Sequence, residues 1–336
     1  MKQATHAWIA VRAMGLIEED AETAGLFSIL RPHTRNAALG AWMPDLADSK
    51  LGSGDLDNHV FKMSPFSGEV EERFVTDKKA LLKALGPSRA VAKFIADDAT
   101  LDAGWWGTPY KAEPQPCQDI PTRANAIATT LTDQLILGER PVTNRIPRKF
   151  ALSSMVSPDE RTRAEQLALF FFMQSHFVAD ACMPCHCDKR AISSYAGKLH
   201  PQWEGFIEKI VGSEFDGDRV ERCHDRPREL LDAARKVDGR AGISFALPIP
   251  EPKGGDLWKD AVAVCRASFA VANIVAPPAE FPYDGDKTAS LSVKDLKADP
   301  AAWEKFERAT AAIMHDAVLN VAMYWKRVWK RLDRKD

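Results

Sequence analysis

The stretch that most limits the fold is 167–180, LALFFFMQSHFVAD. Its opening run, LALFFFM, is apolar throughout and too uniform for a helix with one wet face, so it reads as a buried central helix. That helix carries His176 and Asp180 inward. Residues four apart share a helix face, so this imidazole and this carboxylate point at one spot. A buried carboxylate beside a buried imidazole is costly unless it is paired or metal-bound. His200 and Glu204 repeat the spacing downstream, and His186 lies between the two pairs. Imidazole nitrogens and carboxylate oxygens gathered this densely over 176–204 form the ligand set a zinc ion takes.

Composition places that segment in a globular protein. The chain has 336 residues, 45% hydrophobic and 27% charged, a balance that allows one large core. A net charge of −2 advertises neither a nucleic-acid track nor an acidic membrane partner. No run of about 18 apolar residues occurs, so no transmembrane helix is expected. The N-terminal MKQATHAWIAVRAMGLI is interrupted by His6 and Arg12 and runs into EEDAE, without a small-residue cleavage site. It reads as mature protein without a signal peptide, and the chain as cytoplasmic. The cysteines are Cys117, Cys182, Cys185, Cys187, Cys223 and Cys265. Three are bunched at 182–187, which is not the spacing of a disulfide framework, so reduced thiols are expected.

The remainder reads as helix after helix. Ile9, Ala10, Ala13, Met14, Leu16 and Ile17 make a helical stripe within 6–30, with His6 at its start. Residues 31–61, rich in Gly, Pro and Asp, read mostly as loop and carry Asp45 and His59. Residues 69–104 read as two helices broken at Gly86-Pro87, with Phe74, Leu81, Leu85, Val91, Phe94 and Ile95 as their apolar positions. A Pro-rich loop with Trp105 and Trp106 follows over 104–121, then a helix over 122–139. Ser157 is the expected N-cap of the central helix, with Pro158 and Asp159 in its first turn. Further helices are expected after Glu204, over 225–237 and over 256–276, with a loop at 243–255 that has room for one short strand. Residues 277–286 read as a linker. Residues 299–332 read as a long amphipathic helix ending in Trp325, Lys326, Arg327, Trp329, Lys330 and Arg331. That basic, Trp-bearing end fits a membrane surface, although the helix dipole alone accounts for cations there. The sum is an all-α single domain over 1–336.

One set of residues also resembles a known family. THAWIAVRAM at 5–14, WMPDLAD at 42–48, NHVF at 58–61, HFVADACMPCH at 176–186 and HPQWEGF at 200–206 look like the zinc-dependent phospholipases C, in that family's order. The family shares its fold with the single-strand-specific zinc nucleases. The resemblance implies two or three zinc ions. His59, His176 and Asp180 would hold one, with Asp45 beside it as ligand or as the carboxylate that orients and deprotonates the attacking water. His186, His200 and Glu204 would hold another. Asp180 would bridge to a third, bound by His6 and by the amine and carbonyl of the N-terminal residue. The family's N-terminal Trp is replaced here by Met1, and the unusually wide gap between His59 and His176 implies a helical insertion over about 65–155. Glu204 and the Pro44-Asp45 pair look more like the phospholipase branch than the nuclease branch, and nothing reads as the C-terminal β-sandwich domain of the membrane-active toxins. The expected activity is hydrolysis of a phospholipid or other phosphodiester, with transient membrane-surface contact and no stable protein partner.

Two other readings share the central stretch. Cys182-Met183-Pro184-Cys185-His186 matches the C-x-x-C-H pattern of c-type haem attachment, which leaves His176, Asp180, His200 and Glu204 without a role. A structural zinc held by Cys182, Cys185 and Cys187 is the other.

Overall fold

The apolar run at 167–173 sits in a 22-residue helix, and other helices pack around it. The computed structural model describes residues 1–34, 36–51, 59–65, 79, 82–83, 85–98, 110–112, 119–139, 160–212, 256–283 and 290–331. Among them the helices are α1 (Gln3–Glu19), α2 (Ala24–Leu30), α3 (Asn36–Leu51), α4 (Arg89–Asp97), α5 (Ile120–Glu139), α6 (Glu160–Ala181), α7 (Pro184–Cys187), α8 (Leu199–Gly212), α9 (Leu257–Val275), α10 (Val293–Ala298) and α11 (Pro300–Lys330). Strands β1 (Met63–Pro65) and β2 (Tyr110–Ala112) pair antiparallel, Met63 opposite Ala112. The described chain is therefore all-α apart from this one small ribbon.

Helix α6 is the central element expected. It packs against α1, α3, α5 and α11, and its Phe171, Phe172 and Phe177 are fully buried. Trp325 of α11 stands edge-on to Phe171 and Phe172, with centroids 6.0 and 5.9 Å away, and donates its indole N–H to the Phe171 carbonyl. Burying an indole is favourable only when that N–H finds an acceptor. Apolar residues from α1 through α11 join this contact in one continuous core.

Helix ends are closed by side chains, some from distant elements. Asp299 caps α11 with Pro300 in its first turn, and Ser292 with Asp295 forms a capping box on α10. Helix α4 has no cap of its own. Buried Asp316 of α11 accepts from the backbone N–H groups of Ala90 and Val91, each at 2.9 Å. At the far end of α9, Arg190 donates to the carbonyls of Ala272, Ala276 and Phe281 and pairs with buried Asp188.

Several elements differ from the sequence reading. Residues 36–51 form helix α3 where loop was expected, with Pro44 inside it. The apolar stripe at 6–30 is two helices, divided where Asp20 caps a 3-10 turn by accepting from the Glu22 N–H. The end of α11 that fitted a membrane surface is internal at Trp325, Lys326 and Arg327. Lys326 pairs at 2.7 Å with Asp20 and with Glu22, and Arg327 pairs with Asp260. Acidic residues on neighbouring elements thus hold these cations inward. The turn at Gly86-Pro87, the helices over 122–139 and 256–276 and the long last helix are found as expected. Phe74, Leu81, Trp105, Trp106, Cys117, Ser157, Cys223, the helix over 225–237 and the loop over 243–255 lie outside the described residues. So does most of the inferred insertion, apart from α4, β2 and α5.

Candidate metal centre

Five of the eight histidines meet three carboxylates in one buried region: His6, His59, His176, His186 and His200 with Asp45, Asp180 and Glu204. Each arrives on an element that fixes it. Helix α1 brings His6, α3 brings Asp45, and the segment before β1 brings His59. Helix α6 brings His176 and Asp180, α7 brings His186, and α8 brings His200 and Glu204. Both four-residue spacings act as anticipated. His176 Nε2 lies 3.0 Å from Asp180 Oδ2, and His200 Nε2 lies 3.0 Å from Glu204 Oε1.

Three groups within this region have donor atoms close enough to share an ion: His59, His176 and Asp180; His186, His200 and Glu204; and His6, Asp45 and His176. Asp180 joins them. Its Oδ2 is 3.2 Å from His59 Nδ1, and its Oδ1 is 3.4 Å from His6 Nε2. The α-amino group of Met1 lies between two carboxylates, 2.8 Å from Asp180 Oδ1 and 3.0 Å from Glu204 Oε1. Asp45 stands at the edge, 3.6 Å from His176 Nε2 and 3.7 Å from His59 Nδ1, with its side chain 32% exposed.

Hydrogen bonds decide which ring nitrogens face inward. A carbonyl can only accept, so a ring nitrogen bonded to one must carry the proton. His176 Nδ1 donates to the Ala41 carbonyl at 2.6 Å, and His186 Nδ1 donates to the His59 carbonyl at 2.6 Å. Both rings therefore turn Nε2 towards the carboxylates. This is the orientation that backbone carbonyls impose on metal-ligating imidazoles. Pro44 lies inside α3, three residues past Ala41, and lacks the N–H that would bond the Gly40 carbonyl.

Electrostatics leave a cation-shaped need. Burial pushes the His186 imidazolium down to about 4, and Asp180 only partly offsets it. The ring is neutral at pH 7, and its Nε2 lone pair faces Glu204 Oε1 at 3.3 Å. Burial works against the Glu204 carboxylate, but the Met1 ammonium and the two neighbouring imidazoles outweigh it and hold the group ionised. A lone pair thus confronts an anion. His6 is likewise held well below its usual value by burial and by His176. Both of its ring nitrogens, and His200 Nδ1, are buried without a hydrogen-bond partner. Burial opposes protonation of His176 too, but Asp180 and Asp45 prevail and raise it. Asp180 is held well below the carboxylate range: burial is outweighed by the Met1 ammonium, His186, His176 and His6. Orphaned imidazole nitrogens, inward lone pairs and ionised carboxylates fit a metal ion.

Every site residue read from the sequence reaches this region, Met1 included. The Ala41 and His59 carbonyls carried no sequence signal, because any residue supplies one. Among the described cysteines, Cys182, Cys185, Cys187 and Cys265, none takes part in it. Among the described residues no group able to hold a metal includes a cysteine, so the three-cysteine zinc is set aside. Cys182, Cys185, Cys187 and Cys265 are buried free thiols, and burial pushes the thiols of Cys182, Cys185 and Cys265 up. Cys182 and Cys185 of the C-x-x-C-H match are both buried, and His186 of that match points its Nε2 at Glu204. Comparison with protein-family models, curated proteins and solved structures finds no match for this chain.

Proposed function

We propose that the chain is a zinc-dependent phosphodiester hydrolase of the phospholipase C type, cleaving the glycerol–phosphate bond of phospholipids. One observation carries the reading: five imidazoles, three carboxylates and the Met1 amine converge in neighbouring groups within one largely buried region. His59, His176 and Asp180, with Asp45 beside them, would hold one zinc, and His186, His200 and Glu204 a second. His6, Asp180 and the Met1 backbone would hold a third. Zinc, when bound, supplies neutralising charge for a phosphate and a water of lowered pKa.

Asp45 reaches towards solvent as well as towards the cluster, so it is the carboxylate for the attacking water. It accepts the water's proton as the oxygen attacks phosphorus. The new P–O bond forms in line with the breaking bond to glycerol, and the departing alkoxide takes a proton from solvent. His176 and His186, oriented by carbonyls, keep their inward nitrogens fixed through the reaction. Glu204 and the Pro44-Asp45 pair favour a lipid over a nucleic acid, as does the net charge of −2. A lipid substrate entails transient contact with a membrane surface.

A side-by-side assay tests this. Zinc-loaded protein is given phosphatidylcholine vesicles and single-stranded DNA, and zinc is counted by elemental analysis. The expected result is diacylglycerol release with little nucleotide. Nucleotide release without diacylglycerol moves the activity to the nuclease branch, and protein that retains no zinc removes the proposal.

A further inference from the structure

Residue His59 serves two of the metal-competent groups at once. Its ring stands in the first, 2.7 Å from His176 Nε2 and 3.2 Å from Asp180 Oδ2. Its main-chain carbonyl belongs to the second, since it accepts the Nδ1–H of His186 at 2.6 Å. The second group leans on that one contact. Of its two imidazoles, His200 has no partner on Nδ1, so His186 alone is oriented by a hydrogen bond outside the cluster.

The contact is built into a short ladder. Phe61 N donates to the His186 carbonyl at 3.0 Å, Lys189 N donates to the Met63 carbonyl at 3.0 Å, and Met63 bridges Asp188 in parallel register. Lys62 clamps it from the side, donating from Nζ to the carbonyls of Cys185 and Ser193. Lys62 belongs to none of the metal-competent groups. Its amine binds the peptide just before His186 and the turn that leads to His200.

We propose that Lys62, through this ladder, couples the two groups, so that metal at His59, His176 and Asp180 strengthens binding at His186, His200 and Glu204. The proposal rests on the metal-centre reading above. Metal on the His59 ring fixes the backbone at 59, and the fixed carbonyl then holds His186 in its ligating orientation. The ordering is done once and serves both sites. Linkage makes the effect reciprocal. Direct repulsion between two bound cations acts in the opposite sense, so the sign of the coupling separates the two causes.

The test is metal binding, not activity. Apo protein is titrated with cobalt(II), read by its d–d absorption and by calorimetry, alone and after His176→Gln has disabled the first group. Removing the first site should weaken the second about tenfold. In Lys62→Met the second site should already be about tenfold weaker, and adding His176→Gln should weaken it little further. Lys62→Arg, which keeps two donors, should restore both affinity and coupling. Circular dichroism confirms that each variant is folded. Should His176→Gln strengthen the second site, or Lys62→Met leave it unchanged, the coupling is overturned while the metal centres stand. A wild-type protein that binds no cobalt or zinc overturns both.

Discussion

Asp180 is reached by an amine and four imidazoles: the Met1 nitrogen at 2.8 Å, His176 at 3.0 Å, His59 at 3.2 Å, His6 at 3.4 Å and His186 at 3.7 Å. On the proposed assignment it is the one carboxylate shared by two of the three metal positions, that of His59 and His176 and that of His6 and Met1. Asp180→Asn is therefore expected to cut zinc affinity by more than about 100-fold, beyond the loss from changing a group that only hydrogen-bonds to a ligand. Phosphodiesterase activity should vanish with it. Elemental analysis beside the vesicle assay checks this, and unaltered turnover in the variant defeats the bridging role. Asp45 calls for the opposite pattern. Asp45→Asn should lower turnover by about 10²–10⁴-fold while zinc content stays near wild type, because the lost group handles a proton. Loss of a zinc equivalent along with activity would make Asp45 a ligand instead. The pairing of side chains was largely legible in the sequence, since spacing places His176 with Asp180 and His200 with Glu204. What spacing hides is the second layer. The carbonyls that turn His176 and His186 inward belong to Ala41 and His59, far away in sequence, and only folding brings them near.

At the scale of elements, the informative failure of sequence reading is α3. Gly40 and Pro44 argue for a loop by ordinary rules, yet both serve a helix pressed onto α6. A Cβ built on Gly40 would lie 2.7 Å from Phe172 Cβ and 3.1 Å from the Leu169 carbonyl, so the missing side chain is what allows the close approach. Helix propensity gives way here to tertiary packing. The two helices carry Asp45 and His176, so their spacing sets the geometry of the group formed by His6, Asp45 and His176. Gly40→Ala should push them apart, costing about 1–3 kcal/mol of stability. It should also weaken the His176 Nδ1 bond to Ala41, visible as reduced metal affinity. A thermal melt and a metal titration on one preparation check both parts. An unchanged melting temperature with unchanged affinity would mean that α6 yields without cost. The long helices were easier to read, because continuous apolar stripes and end signals such as Asp299-Pro300 lie within the elements themselves.

At the scale of the whole molecule, the question is whether metal holds the fold or the fold holds the metal. The core runs continuously from α1 to α11, through contacts such as Trp325 on Phe171 that lie outside the cluster. Small zinc domains unfold on chelation because they lack such a core. This chain should keep its far-UV helical signal when stripped and lose thermal stability instead. A zinc concentration of about 100 times Kd contributes about 2.7 kcal/mol per independent site. The stripped protein should also show a pH optimum set by the cluster. On folding, His186 falls from 6.5 to about 4, so its unfolded form takes up a proton first. Its contribution is complete above about pH 6.5 and is lost as pH falls towards 4, about 3 kcal/mol in all. Asp180 and Glu204, also lowered, extend the loss further into acid. Met1 goes the other way, its amine rising from 8.0 to about 11, because Asp180, Glu204 and Asp45 together outweigh the burial that opposes its charge. Its contribution is complete below about pH 8 and is lost as pH rises towards 11, about 4 kcal/mol. Denaturant melts of chelated protein across pH 4–11 should therefore trace a maximum between about pH 6.5 and 8, with both limbs falling. Zinc should lift the plateau, and its binding should release protons, since the Met1 amine must deprotonate to become a ligand. A flat profile, or collapse of the helical signal on chelation, would show that the metal organises the bundle rather than the reverse.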